Sequence, residues 1–470
     1  MPAADSTRVV HVQPVTAPGP DNETVSSTFS SIQSALDAVG GDRGRATVCV
    51  ADGTYYEELR VPADTHVIAA GAVRIRPPQT RSDALPTDVD RTLITIETGS
   101  AGPVLLEGLD VRYGGVCLRV EGTGAAEVTD SVLQACAVGA IVDEASLTLR
   151  DTPLIENVHL GAHVTNGTFA VIDSELLRNG RPALGFEQDA LPEPAEGVSW
   201  AEGLPGRGAL YARGSDVRLL RAVVDENQYE GGVLDVEGGS ITIGFSTLGA
   251  QRAPLNDEGF LAGEAGGDGP LVRVVNATVR VDGLIARSES QTLFDLEGAG
   301  TTLHATDVNW YGRSASNIDG AAGPIIDARD TGELVLRHGS FFGPEGAPGV
   351  RLTGQVGIPL TIANSVLWGH GSGAGVITEG ATHPVEASNS LFADFSVDGT
   401  DLLSGVPGWD EDGEVLTPGS DSILRCAGAD LTTSDEDDDA ALASDVLGNP
   451  RPYQGTTPDV GAVEVQLACP

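Results

Sequence analysis

The stretch "AEVTDSVLQAC" (126–136) contains the pattern that decides the fold. An alternating apolar strand leads to an Asp–Ser pair, which a short apolar strand and a polar break follow. The phrase recurs along the chain, and its copies are "LTLRDTPLIEN" (147–157), "FAVIDSELLRN" (169–179), "ITIGFSTLGAQ" (241–251), "TLHATDVNWYG" (302–312), "LVLRHGSFFG" (334–343), "LTIANSVLWGHG" (360–371) and "VEASNSLFADF" (385–395).

The spacing of the copies indicates a solenoid of stacked β-coils. Neighbouring markers lie 21, 22 and 25 residues apart, and the markers are Ser131, Thr152, Ser174, Ser246, Thr306, Ser365 and Ser390. Each coil can bury its apolar face only against its neighbours, and Asp or Asn suits the bend because it tolerates unusual backbone angles. We therefore predict an all-β solenoid over residues 46–400. A β-sandwich would explain short strands but not the recurring phrase.

The segment before the solenoid predicts a capping helix. In "FSSIQSALDAV" (29–39), one helical face carries apolar residues, which are Phe29, Ile32, Ala35, Leu36 and Val39. An amphipathic helix at this place would cover the open end of the first coil. Residues 1–45 are therefore expected to form a leader and an N-terminal capping helix.

Residues 401–470 are predicted to form an irregular C-terminal cap. The tail "LGNPRPYQGTTPDVGAVE" (447–464) contains three prolines, which lack backbone donors and block further strand addition. Arg451 is expected to hold the tail loop to Asp459 or Glu464. We therefore assign these residues a structural role.

The charge of the chain excludes some partners. The net charge is −41, and all 27 basic residues are Arg because the sequence has no Lys. Such a chain repels phosphate backbones and anionic membranes, so nucleic-acid binding is not expected. No apolar run approaches the roughly 18 residues of a membrane span. We expect a monomer without a membrane-spanning segment.

The five cysteines form no C-x-x-C pair, which argues against a zinc site. Cys426 and Cys469 both lie in the tail and are predicted to form a disulfide if the compartment is oxidising. Cys117 and Cys136 are 19 residues apart, close to one repeat, which would stack them one above the other.

Two acidic loops, "GWDEDGEV" (408–415) and "TSDEDDDA" (433–440), lack the spacing of an EF-hand. We predict solvated loops and no cofactor, with Ca²⁺ binding as the alternative.

Two parts of the sequence resemble known families. The opening "IQSALDAVGG…TVCVADGTYYEELRV" is similar to that of right-handed parallel β-helix proteins of the pectate-lyase-like superfamily. The phrase "NSVLWGHGSG" (364–373) and the tail motif resemble the bacterial choice-of-anchor Q domain proteins, which are secreted or held at the cell surface. The resemblance implies a single-stranded right-handed parallel β-helix and an extracellular or cell-surface location. The N-terminus "MPAADSTRVVHVQ" has no signal sequence, so a leader is expected to have been removed.

The catalytic residues of related enzymes do not accompany this resemblance. Gly369-His370-Gly371 is similar to a motif of polygalacturonases, but their N-T-D, paired Asp and R-x-K motifs find no match before the tail. We therefore interpret Gly-His-Gly as a turn and predict no catalytic residue.

Long insertions follow the marker phrase at nearly one offset, near residues 178–208, 250–270 and 312–324. One offset in a stacked solenoid corresponds to one edge, so these loops are predicted to line a single side. Aromatic and polar residues near that edge form a predicted ligand-binding set, consisting of Trp310, Tyr311, Arg313, Phe342, Trp368 and His370. Rings at one coil position fit either a surface that stacks on sugars or an internal stack that fills the core.

Two functions fit these observations. The first is a non-catalytic extracellular or cell-surface protein that acts in adhesion, as a spacer or in polysaccharide binding. The alternative is a lyase or glycoside hydrolase acting on an acidic polysaccharide. The alternative requires two or three converging carboxylates with an Arg, such as Arg252 or Arg313.

Overall fold

The structure of the chain is a computed structural model. It describes residues 8–13, 28–40, 45–78, 91–99, 102–180, 208–227, 232–249, 270–288, 292–312, 324–343, 348–368, 375–392, 399–404, 406–410, 415–419, 421–429, 444–447, 449–451 and 458–464. These residues form an all-β structure with a single short helix. They divide between two compact units, unit 1 (residues 1–216) and unit 2 (residues 217–470).

Unit 1 contains the helix and the first half of the strands. Its elements are β1 (Arg8–Val12), β2 (Thr28–Phe29), α1 (Ile32–Val39), β3 (Ala46–Tyr56), β4 (Leu59–Val61), β5 (Thr65–Arg76), β6 (Thr92–Thr98), β7 (Val104–Arg112), β8 (Val116–Gly122), β9 (Ala125–Thr129), β10 (Val132–Gln134), β11 (Val138–Asp143), β12 (Ser146–Arg150), β13 (Leu154–Ile155), β14 (Leu160–Thr165), β15 (Thr168–Ile172), β16 (Glu175–Leu177) and the start of β17 (Gly208–Leu220).

Unit 2 continues the strand series to the C-terminal region. Its further elements are β18 (Val223–Asp225), β19 (Leu234–Leu248), β20 (Val272–Val275), β21 (Thr278–Ser288), β22 (Phe294–Glu297), β23 (Thr302–Gly312), β24 (Ile326–Arg329), β25 (Leu334–Arg337), β26 (Ser340–Phe342), β27 (Val350–Gly354), β28 (Leu360–Ala363), β29 (Val366–Trp368), β30 (Val376–Gly380), β31 (Val385–Ser388), β32 (Leu391–Phe392), β33 (Gly399–Thr400), β34 (Trp409–Asp410) and β35 (Thr417–Pro418).

Three strands follow one another in each repeat, and we call them the opening, middle and closing strands. In one repeat of unit 1 these are β11, β12 and β13, and each pairs in parallel with its counterpart in the next repeat, β14, β15 or β16. Some long strands, such as β21 and β23, contain both the middle and the closing part. The short pair β34–β35 is antiparallel. The other described strand pairs are parallel, as in the ladders of unit 1 and unit 2.

The register stacks like residues on like residues. Val128, Leu149 and Val171 are successive partners in the middle strands and are fully buried or nearly so. Glu127 and Thr148 alternate with them and are partly exposed. Successive side chains of a strand point to opposite faces, so this face of the middle strands contributes to an aliphatic core in unit 1.

The marker Ser and Thr residues complete the backbone hydrogen bonding at one corner of the repeat. The hydroxyl of Thr152 accepts from the backbone N–H of Ser131 at 3.2 Å, and that of Ser174 accepts from Thr152 at 2.9 Å. Ser390 does the same for Ser365 at 3.1 Å. Thr152, Ser174 and Ser390 are buried, and each of these hydroxyls thus satisfies an N–H group that water cannot reach.

The residue before each marker turns the chain. Asp130, Asp151 and Asp173 have φ values of 48°, 47° and 50°, the left-handed region that Asp and Asn tolerate. In the repeat assigned the marker Thr306, the left-handed residue is Asp307, with φ 56°, and Val308 follows it. Val308 therefore occupies the marker position, and the assignment of Thr306 was wrong by two residues.

The helix predicted over 29–39 is found at Ile32–Val39, and its apolar face is buried. Ser31 caps it by accepting from the backbone N–H of Ser34 at 3.2 Å. The carboxylate of Glu57 accepts from the backbone N–H groups of Ile32 and Gln33 at 3.1 and 2.9 Å. A carboxylate at this end also complements the helix dipole, which explains why so short a helix persists. No helix among the described residues is long and apolar enough to cross a membrane.

Cys117 and Cys136 form a disulfide. Cys117 lies in β8 and Cys136 follows β10, so the bond joins the opening and closing parts of a single repeat. The expectation that these two residues stack in neighbouring repeats was therefore wrong. Their separation in sequence approaches one repeat because the chain nearly completes a circuit between them.

The loop insertions predicted near 178–208, 250–270 and 312–324 lie almost entirely outside the described residues. Their flanking strands are described. Each insertion leaves a closing strand and returns at an opening strand, as between β16 and β17 or between β23 and β24.

Substitution of Thr152 by Val tests the marker hydrogen bonds. The variant keeps the shape of the side chain but leaves the buried N–H of Ser131 without its acceptor. We expect the free energy of unfolding to fall by about 1–3 kcal/mol, measured by urea denaturation. Thr148→Val, at a partly exposed position of the preceding strand β12, is the control and should change the free energy of unfolding by less than about 0.5 kcal/mol. Equal losses in the two variants would contradict the role of the hydroxyl.

Candidate functional site

The predicted aromatic set divides between the two faces of the closing strands in unit 2. Trp310 is a register partner of Phe341, which in turn is a partner of Leu367, and all three are buried. Trp310 is fully buried, with 0% of its surface exposed, so its ring fills the core. Arg313 and His370 lie outside the described residues.

Tyr311, Phe342 and Trp368 are the adjacent register partners and lie on the opposite face, where they are half-buried. The rings of Tyr311 and Phe342 stack with centroids 5.4 Å apart. Trp409 meets Phe342 edge-on, with centroids 5.8 Å apart. Trp368 packs against the buried cluster of Val366, Leu391, Leu424 and Val460. Residues after 400, which we call the C-terminal segment, therefore contact two members of the aromatic row, Phe342 and Trp368.

Hydrogen bonds fix this C-terminal segment against the closing strands. The side-chain amide of Asn309 donates to the carbonyl of Leu416 at 3.1 Å and accepts from its N–H at 3.2 Å. The amide of Asn364 donates to the carbonyl of Ala429 and accepts from its N–H at 2.8 Å. Ser340 accepts from the N–H of Ala462 at 3.0 Å. The segment thus contacts several successive repeats along their flank.

Arg451 of the tail lies in a buried polar cluster. Its guanidinium is 3.0 Å from a carboxylate oxygen of Asp307 and 3.7 Å from one of Glu464. It also donates to Nδ1 of His338 at 2.9 Å and to the carbonyl of Gly461 at 2.8 Å. The sequence pattern predicts partners for Arg451 in the tail alone. Asp307 and His338 were not predicted, because they lie more than a hundred residues earlier in the chain.

Burial controls the protonation of this cluster. It raises the pKa of Asp307 well above its ordinary value, and Arg451 opposes that rise. Burial also lowers the pKa of His338 well below its ordinary value, and the charge of Arg451 lowers it further. A neutral His338 has an acceptor nitrogen and can therefore accept the hydrogen bond that Arg451 donates.

The carboxylate of Asp459 accepts from the backbone N–H of Cys426 at 2.6 Å. Its backbone carbonyl is 3.5 Å from Arg451 Nη1, and its N–H donates to Glu464 at 2.9 Å. Cys426 is disulfide-bonded, and its predicted partner Cys469 lies outside the described residues.

A second row of chemistry-bearing residues lies on the opening strands of unit 2. Here one outward position per repeat carries either an acid or an arginine, and the successive register partners are Asp235, Arg273, Asp295, Asp327 and Arg351. We call this row, together with Glu237, Glu297 and Arg329 two residues further along the strands, the acid–arginine face.

Two arginines of the face, Arg273 and Arg329, each contact two carboxylates. Arg273 Nη1 donates to both oxygens of Asp235, at 3.0 and 3.1 Å, and lies 3.5 Å from Glu237. Arg329 Nη2 lies 2.6 Å from Asp295 and 3.5 Å from Glu297.

Arg351 forms a two-bond pair with Asp327, with Nε to Oδ1 at 2.9 Å and Nη2 to Oδ2. Charged and polar groups with fixed geometry therefore repeat along the face.

The electrostatics of the face suggest more than a structural ion-pair ladder. Burial raises the pKa of Asp235, although Arg273 opposes the rise. Burial likewise raises the pKa of Asp295; Arg329 opposes the rise, and the neighbouring Asp327 adds to it. Ion pairs at a surface contribute little to stability, whereas carboxylates held at a raised pKa are frequent at functional sites. The acid–arginine face is therefore our candidate functional site.

The geometry limits the chemistry available here. Asp295 and Asp327 are direct register partners, so their backbones lie about 4.8 Å apart. Carboxylates and guanidinium groups at this spacing can hydrogen-bond to hydroxyl groups, and a protonated acid beside a carboxylate can exchange protons. Among the described residues, no group of three His, Cys, Asp or Glu side chains is placed to hold a metal ion.

The acid–arginine face was not predicted from the sequence. A second recurring phrase carries the signal, an apolar residue followed by an acid or Arg, as in "LDVEG" (234–238), "VRVVN" (272–276), "FDLEG" (294–298) and "IDARD" (326–330). Acids are so numerous in this chain that a single one is uninformative. Only the register shows that these residues are neighbours.

Comparison of the sequence with protein-family models and with curated proteins gives no match. Among solved structures, the fold is similar to the catalytic domain of a GH87 alpha-1,3-glucanase in complex with tetrasaccharides, with 10% identity, a TM-score of 0.32 and coverage of 83% of this chain and 67% of that chain.

A protein of Geobacillus virus E2 is similar at 10% identity and a TM-score of 0.29, over 79% of this chain and 58% of that chain. An iota-carrageenase complexed to iota-carrageenan fragments is similar at 10% identity and a TM-score of 0.21, over 82% and 57%. Similarities at these TM-scores assign neither a family nor an activity.

Substitution of Arg451 by Met tests the tail cluster. The variant leaves the buried carboxylate of Asp307 without its counter-charge, and we expect the free energy of unfolding to fall by about 3–5 kcal/mol. Arg60→Met is the control, because its ion pair with Glu97 is long, at 3.9 Å, and exposed. Urea denaturation measures both variants. A loss for Arg451→Met no larger than that of the control would show that the cluster is not structural.

Substitution of Arg329 by Gln tests the electrostatics of the acid–arginine face. Because Arg329 lowers the pKa of Asp295 against the effect of burial, its removal should raise that pKa further. A carboxyl-carbon NMR titration of protein labelled at Asp measures the change, with Asp295→Asn to assign the signal. Arg150→Gln, whose partners are Glu127 and Asp173 in unit 1, should leave the Asp295 titration unchanged. A pKa of Asp295 that stays constant or falls would contradict the interaction.

Proposed function

We propose that this chain is a right-handed parallel β-helix protein that binds a polysaccharide along its acid–arginine face. The β-helix is supported by the described pairing, in which opening, middle and closing strands each pair in parallel with the same strand of the next repeat. The right-handed sense is the usual one for parallel crossover connections.

The observation that carries the proposed binding is the in-register row Asp235, Arg273, Asp295, Asp327 and Arg351. These groups recur once per repeat, at about 4.8 Å. Recognition groups at a regular spacing suit an extended polymer better than a compact small molecule. Their mutual ion pairs hold the side chains in place before binding, which reduces the entropy that a ligand must overcome.

The disulfides support an extracellular or cell-surface location. Cys117 and Cys136 are bonded, and Cys426 is also in a disulfide. Such bonds persist in oxidising compartments. A net charge of −41 is consistent with a role that involves no nucleic acid. In this proposal, the tail residues Arg451, Asp459 and Glu464 and the row Tyr311, Phe342 and Trp368 are structural, and the protein is a monomer.

A second candidate function is hydrolysis of the bound polysaccharide. The raised pKa of Asp295 beside the carboxylate of Asp327 favours it, because glycoside hydrolysis needs one protonated and one ionised carboxyl group. Lyase chemistry with an arginine base is less favoured. The hydrogen bonds from Arg351 to Asp327 raise the pKa of Arg351 above its ordinary value, so this guanidinium holds its proton more firmly.

A polysaccharide panel tests both functions. Affinity electrophoresis in gels containing each polysaccharide measures binding, and assays for new reducing or unsaturated ends measure cleavage. We expect at least one polysaccharide to bind, and the double variant Arg273→Gln/Asp295→Asn to bind it about 10-fold or more weakly.

The control for this panel is Glu127→Gln in unit 1, which also removes one acid of an ion pair but lies off the face. Retention of full affinity by the double variant, or binding to no member of the panel, would reject the proposal. Cleavage that Asp295→Asn abolishes would establish the second candidate function.

A further inference from the structure

The opening strands of unit 1 carry an outward row of a different kind. Successive register partners there are Arg119, Ile141, His163 and Tyr211. Where the acid–arginine face of unit 2 consists of charged groups, this row contains two rings, an aliphatic side chain and one arginine. Its chemistry is that of a surface that combines apolar contact with a few hydrogen bonds.

The two rings are in contact and rest on an apolar base. Their centroids are 5.5 Å apart, and their planes are inclined by 48°. Tyr211 also packs against a cluster of buried residues, namely Val116, Val138, Ile141 and Leu160. Both rings remain partly exposed. Packing of this kind holds the tyrosine in one orientation, so its ring is a preformed platform.

Polar and charged groups lie near His163. Nε2 of His163 is 3.5 Å from the hydroxyl oxygen of Thr165. Burial lowers the pKa of His163, Arg119 and His159 lower it further, and Asp143 opposes them. The imidazole is therefore neutral at neutral pH and offers one donor and one acceptor nitrogen.

We propose that Tyr211 and His163, with Arg119 and Asp143 beside them, form a second carbohydrate subsite that stacks on a pyranose ring. Sugar sites combine an aromatic or apolar surface with a small number of oriented polar groups, and this row has both. The ligand class rests on the proposed function, but the residues do not. They all belong to unit 1, whereas the acid–arginine face belongs to unit 2.

Three substitutions of Tyr211 test the subsite with the polysaccharide that the wild-type chain binds in the panel. Tyr211→Ala should weaken binding about 10-fold, because the ring that stacks on the sugar is lost. Tyr211→Leu keeps apolar contact with the cluster but has no aromatic face, and it should weaken binding similarly. Tyr211→Phe keeps the ring and should bind within about 2-fold of wild type. Thermal denaturation identifies any variant that has lost its fold.

The outcomes separate this inference from the proposed function. If Arg273→Gln/Asp295→Asn weakens binding while folded Tyr211→Leu binds as the wild type does, the subsite is rejected and the proposed function stands. Weakened binding in the Ala and Leu variants, with near wild-type binding in the Phe variant, supports the subsite. Binding of the wild-type chain to no polysaccharide rejects the proposed function, and this inference with it.

Discussion

Parallel pairing of each strand with its counterpart in the next repeat is the constraint on which the other features of this protein depend. The register places equivalent residues of successive repeats side by side, as it does for Val128, Leu149 and Val171. Any residue type that recurs once per repeat therefore becomes a continuous row. The aliphatic core, the corner hydroxyls, the stacked rings and the acid–arginine face are all rows of this kind.

Rows of polar residues can be buried inside the structure because each member forms hydrogen bonds with a polar group of the neighbouring repeat. Asn157 illustrates this, since its side chain accepts from the N–H of Cys136 at 3.1 Å and donates to the side chain of Asn179 at 2.9 Å. The hydroxyls of Thr152 and Ser174 have the same function at another corner. A buried donor without an acceptor would cost about 1–3 kcal/mol, so a repeat can include such residues only where the next repeat supplies the partner.

Rows on the outside differ in how their charge and apolar surface are compensated. The aromatic row of unit 2 is in contact with the C-terminal segment, where Trp409 meets Phe342. The acid–arginine face compensates itself, because Arg273 and Arg329 each lie between two carboxylates. That compensation is incomplete at Asp235 and Asp295, where burial outweighs the nearby arginine and the pKa stays raised. An incompletely compensated row is the feature that a binding partner with hydroxyl groups can complement.

Local pattern in the sequence was sufficient to predict an all-β repeating chain, the period of the repeat, the left-handed Asp corners and the helix at Ile32–Val39. These features depend on neighbouring residues and on periodicity, which the sequence displays directly.

Tertiary structure decided what depends on register and on long-range contact. It showed that Val308 and not Thr306 occupies a corner, that Cys117 and Cys136 close one repeat, and that Trp310 faces inward while Tyr311 faces outward. It also brought Asp307 and His338 to Arg451, and aligned Asp235, Asp295 and Asp327 with three arginines. No local pattern contains this information, because a one-residue change of register moves every side chain of a strand to the opposite face.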